Sequence, residues 1–123
     1  MADINSNTIL HCCDWYFGDR PIDSIVLSKV DIVINVADIY YNAKEKRKIL
    51  REVICKGIPV IEGAGIGLGG YVRIYTINSI KLFDDYTDEI LKVLNTNNII
   101  ISSTGCPAYK MALVAAEMIN QLV

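Results

Sequence analysis

Few residues in this chain combine the type and the spacing that chemistry requires. Asp38 follows the apolar segment DIVINV (residues 31–36) and precedes a basic segment. If 31–36 is a strand, Asp38 stands just past its carboxyl end, the edge of an open α/β sheet where ligands gather. A carboxylate at that edge can hold magnesium on a nucleotide, or it can help cap the next helix. A second feature is the stretch GAGIGLGG, Gly63 to Gly70. Within it Gly65, Gly67 and Gly70 satisfy G-x-G-x-x-G, and Asp84 stands near the ~20-residue offset of a ribose-binding acid. A dinucleotide site needs a helix directly after Gly70, because the helix N-terminus neutralises the pyrophosphate. The residues that follow, YVRIYTI, alternate and favour a strand. The other reading of the glycines is a permissive loop that turns closely past a neighbouring element.

Cys106 is the candidate nucleophile. It precedes Pro107, which suits a first helical position, and a helix dipole lowers the pKa of a thiol placed there. A cap or an inert buried thiol explains the same position. His11 is the single histidine and is far away in sequence, so no Cys-His pair is implied. Cys12, Cys13, Cys55 and Cys106 form no C-x-x-C pair. Neighbouring strand residues point to opposite faces, which argues against zinc held by His11, Cys12 and Cys13. No metal site is expected, and unpaired thiols suit a reducing cytoplasm. Tyr40, Tyr41, Tyr71 and Tyr75 can stack on a base or simply fill half-exposed positions. Trp15, Tyr16 and Phe17 suit a core edge or an interface.

The elements that must position these groups follow from pattern. Residues 8–13 (TILHCC) read as a short strand, with a turn marked by Gly18 and Pro21, and 22–29 as a helical turn. Residues 31–36 read as a strand covered on both faces. Asn42 can cap a helix over 43–56 that Gly57 closes. Its apolar side is Ile49, Leu50, Val53 and Ile54, and its polar side Lys44, Lys46, Arg47, Lys48 and Arg51. Such a charge run can meet phosphate but also serves as a solvated face. Val60 and Ile61 read as a short buried strand and 71–77 as another, which 79–83 extends or pairs with. Asp85 or Thr87 caps a short helix over 88–94, 98–102 is a buried strand, and 108–122 a final helix. Buried strands alternating with helices predict one α/β domain over 1–123, Rossmann-like and three-layered. Its sheet is expected to be short and mostly parallel, with a β-rich patch after the glycine stretch.

Composition narrows the function. The chain has 123 residues, of which 52% are hydrophobic and 21% charged, with net charge -2, so disorder is excluded. That charge gives no general attraction to nucleic acid or anionic membrane. No apolar run approaches the ~20 residues of a membrane span. No secretory signal is visible at the start, so a cytoplasmic location is expected.

Taken together, the segment from Asp31 to Tyr75 resembles the second half of the ThiF and MoeB family, bacterial relatives of ubiquitin-activating enzymes. In that family a strand ends in a motif like D-x-T-D-N. A helix follows, then G-I-P and two hydrophobic residues, a small-residue patch, and G-x-x-G before a strand. Here these stand as Asn35-Val36-Ala37-Asp38-Ile39, the helix ending at Lys56, Gly57-Ile58-Pro59-Val60-Ile61, the patch 62–66, and Gly67-Leu68-Gly69-Gly70 before Tyr71. Gly105-Cys106-Pro107 and the Ala-rich helix after it loosely resemble the family's closing helix. The resemblance implies ATP-dependent adenylylation of the C-terminal carboxylate of a small β-grasp protein, with Asp38 contacting ATP-bound magnesium. Gly63, Gly65, Gly67 and Lys44 join it as candidate nucleotide contacts. It also requires parallel pairing between the chain at Val33 and at Val60, and a strand rather than a helix after Gly70.

The departures shape the expectation. About thirty residues precede Asp31, too few for the family's ATP-binding βαβαβ unit. The two C-x-x-C zinc pairs are missing, Asn35 replaces the first acid of the motif and Ile39 its asparagine, and no cysteine matches the thiol nucleophile. Adenylyl transfer needs several cations and amides around the triphosphate, which one aspartate cannot supply. The expected function is therefore a reduced ThiF-like domain without self-sufficient catalysis. It would be a partner-binding or split subunit, in a homo- or hetero-oligomer with a complete homologue or a β-grasp sulfur carrier. The alternative is a compact nucleotide-binding domain that uses Gly63 to Gly70.

Overall fold

The computed structural model describes residues 28–36, 43–66, 69–96 and 108–122. The predicted strands at 8–13 and 98–102, together with Asp38, Gly67 and Cys106, lie outside the described residues. Within them the fold is mixed α/β. Strand β1 (Val33–Asn35) leads to helix α1 (Ala43–Cys55), then β2 (Val60–Ile66) and β3 (Gly69–Tyr75). A single 3-10 turn (Ile77–Ser79) passes into α2 (Ile80–Thr96), and α3 (Ala108–Asn120) follows.

The strands form one sheet in the order β1-β2-β3. β1 runs parallel to β2, with Val33 opposite Val60 and Asn35 opposite Glu62. β2 runs antiparallel to β3, with Glu62 opposite Arg73 and Gly63 opposite Val72. The parallel register at Val33 and Val60 is the one expected, and Gly70 leads into a strand, not a helix. The sheet is nonetheless mixed rather than mostly parallel among the described residues.

Alternation along the strands sorts the side chains onto two faces. Val33, Val60 and Tyr75 share one face with Asn35, Glu62, Arg73 and Tyr71. There Val60, Tyr75, Leu50, Val53, Ile54 and Phe83 make the core, with Val33, Ile58, Ile80 and Tyr86 packed against it. α1 and α2 therefore cover this face. The apolar positions of α1 fall at helical spacing as expected, and Gly57 ends the helix with φ 81, a left-handed conformation that suits glycine. α3 packs on β2 and β3 from the other face, where Gly63 meets Met118 and Val114.

Four expectations are corrected. The described part of the glycine stretch is strand rather than loop: β2 runs through Gly63 and Gly65 to Ile66, and β3 starts at Gly69. Gly63 lies in a seat that a helix fills, so the missing side chain permits close packing as well as turning. Residues 79–83 do not extend the sheet. The Ser79 hydroxyl accepts from the Thr76 N–H at 2.8 Å and donates to the Thr76 carbonyl at 3.2 Å, which starts the helical path early. Phe83, Thr87 and Ile90 then recur at helical spacing and are buried, so α2 is far longer than the segment 88–94. Lys46 belongs to the buried side of α1, at 4% exposure, rather than to its solvated face.

Candidate functional site

The polar residues of the α1/α2 face gather above the core, at the carboxyl end of β1. Asn35 is the last residue of β1 and Glu62 the third of β2, and the parallel register sets them side by side. The Asn35 amide donates to Glu62 Oε1 at 3.1 Å, and both residues are buried. Glu62 is only 2% exposed. Burial pushes its carboxyl above the ordinary value, against the opposing pull of Arg73, the Asn35 hydrogen bond and Lys46. Lys46 reaches this region from α1, where burial of its aliphatic stem and attraction to Glu62 explain its inward position.

Arg73 faces Glu62 across the β2–β3 ladder. Its guanidinium carbon lies 3.7 Å from the ring centroid of Tyr86 and 4.6 Å from that of Tyr71, so two aromatic faces bracket the charge. The Tyr86 hydroxyl donates weakly to that of Tyr71, at 3.4 Å. Burial first, then this contact and the nearby Glu62 charge, drive the Tyr71 hydroxyl well above its ordinary pKa. Burial and Glu62 push Tyr75 up to about 12, while Arg73 pulls it down. Glu62 Oε2, Arg73 Nη1 and Tyr75 Oη are buried without hydrogen-bond partners among the described residues. Neither tyrosine hydroxyl ionises near neutrality.

A second polar group ties α1 to α2. Arg51 Nε donates to Asp84 Oδ1 at 2.9 Å and to Oδ2 at 3.1 Å. Arg47 lies 3.6 Å from Asp84 and 2.8 Å from Asp88, and its Nε donates to the Thr87 hydroxyl at 2.9 Å. Asp84, the acid offered to a ribose, is thus engaged by two arginines of α1.

Of the other expected site residues, Lys44 is exposed near the start of α1. Gly63 and Gly65 are paired in the β2–β3 ladder, opposite Val72 and Gly70. The pyrophosphate form of this stretch has no helix N-terminus to rest on, because Gly70 enters β3. The structure brings none of the described candidates together into a phosphate cradle. Among the described residues, no three of His, Cys, Asp and Glu converge as a metal site.

Sequence reasoning missed Glu62, Arg73 and the inward turn of Lys46. A weak signal existed: Glu62 directly follows the buried pair Val60-Ile61, and Arg73 sits in phase with it on an alternating strand.

No known protein family matches the chain, and no curated protein or solved structure matches it significantly.

Proposed function

We propose that this chain is a reduced, ThiF-like, Rossmann-like domain with helices on both faces of its sheet. It acts in the cytoplasm as a partner-binding or split subunit in ATP-dependent adenylylation of a small β-grasp sulfur carrier. One observation carries this reading. The chain pairs in parallel at Val33 and Val60, and a strand rather than a helix follows Gly70, the two features that the resemblance requires. On this reading Asp38 contacts ATP-bound magnesium when a second component supplies the phosphate-binding cations, and Lys44 and Cys106 are the further residues to test. Apolar exposure supports a partner. Ile34 and Ile74 flank the fully buried Ile61 on the α3 face, and stand 45% and 40% exposed.

The decisive experiment is size-exclusion chromatography with light scattering, joined to ATP–pyrophosphate exchange. The chain alone is expected to oligomerise at micromolar concentration and to catalyse no exchange. It is expected to co-elute with a β-grasp carrier or a complete ThiF-like homologue. A clean monomer that co-elutes with neither overturns the proposal.

A further inference from the structure

The unpaired atoms on the α1/α2 face share one explanation. Glu62 and Arg73 are opposite each other in the antiparallel ladder, on the same face, where opposite charges ordinarily close on one another. They do not: Glu62 Oε2 and Arg73 Nη1 are both buried and bond neither to each other nor to any other described group. Asn35 claims the other carboxylate oxygen. Tyr86 and Tyr71 bracket the guanidinium, and these contacts oppose its swinging onto the carboxylate. Tyr75, two residues along β3 on the same face, adds a third buried hydroxyl, which lies beside the Arg73 guanidinium but makes no well-aligned hydrogen bond.

We propose that Glu62, Arg73 and Tyr75 form an internal binding site for one water-sized neutral molecule, which donates to Glu62 Oε2 and accepts from Arg73 Nη1. A buried acceptor and a buried donor left unmade are both costly, and a single molecule bearing both functions satisfies them together. The occupant must donate and accept at once, which a neutral molecule such as water does and a metal cation or a fully deprotonated anion does not. Size follows from the register: directly opposed residues have Cβ atoms about 5 Å apart, so a small molecule is enough to join their polar ends. The site is independent of any role in adenylylation.

The test uses the full chain. A crystal structure at a resolution that shows ordered solvent is expected to place one water within hydrogen-bond reach of Glu62 and Arg73. Water oxygen-17 magnetic relaxation dispersion is expected to count one more long-lived water in the wild type than in the folded Glu62→Met/Arg73→Met double variant. Should that variant not fold, Tyr75→Phe, which keeps two of the three anchors, is expected to shorten the residence time. A direct bond from Arg73 Nη1 to Glu62 Oε2 in the wild-type crystal overturns the proposal. So does an unchanged count in the folded double variant, or an unchanged residence time in Tyr75→Phe.

Discussion

Asn35 and Glu62, the last residue of β1 and the third of β2, are joined by a buried hydrogen bond of 3.1 Å across the parallel pair. The bond ties a buried carboxylate to the carboxyl end of β1, opposite Arg73 of β3.

The first prediction is a pH dependence. Burial raises the folded-state pKa of Glu62 above its ordinary value of 4.5, so the native state holds that proton more tightly than the unfolded chain. The stabilising contribution of the protonated form is complete below 4.5 and is lost as pH rises through the folded value. Glu62→Gln keeps an acceptor for Asn35 and cannot ionise. The Tm of the wild type, measured relative to Glu62→Gln, is therefore expected to fall between acid and neutral pH. A difference that is flat with pH, or that grows in favour of the wild type, contradicts the assignment.

Gly63→Ala is expected to destabilise. The added methyl would overlap Met118 Sδ and lie 3.0 Å from Val114 Cγ1. Overpacking of this kind costs about 1–3 kcal/mol. Urea titration should show the loss, and Met118→Ala in the same chain should recover part of it, because the two changes share one space.

Phe83 is 1% exposed and meets Tyr75 edge to face, with ring centroids 5.1 Å apart. Phe83→Ala removes both the burial and the ring contact, and should cost about 3–5 kcal/mol. Phe83→Leu should cost less. Chemical denaturation of the two variants orders them.

Asp84→Asn is expected to lower Tm modestly, since it loosens the arginines of α1 from α2. The contacts are partly exposed, so the difference should shrink as salt rises from about 0.01 M to about 1 M, where the screening length falls from roughly 30 Å to 3 Å. A salt-independent difference would place the effect in helix packing rather than charge.

Much of this architecture was legible in the residues. The helix over 43–56 was readable from Leu50, Val53, Ile54 and Gly57, because a helical apolar stripe and a left-handed glycine are both local signals. The parallel register of Val33 with Val60 followed from the arrangement of motifs. What escaped was set by contacts between distant segments. Gly63 and Gly65 look like a loop in composition, yet both lie in a strand, and at Gly63 the space is filled by Met118, 55 positions later. The segment 79–83 alternates like a strand, but Ser79 and Thr76 commit the backbone to a helical turn before that alternation can act. Lys46 carries a charge, and its inward turn toward Glu62 on β2 is not a local signal. Asp38 and Cys106 lie outside the described residues, so their roles rest on experiment.

The connection lengths carry a kinetic consequence. β2 and β3 are neighbours along the chain, whereas the Asn35–Glu62 contact spans 27 residues. Closing the longer span is entropically slower, so the hairpin can assemble while β1 is still free. Amide deuterium uptake should therefore start at Val33 to Asn35 and reach Ile61 last, and the parallel seam is where this sheet first comes apart under stress.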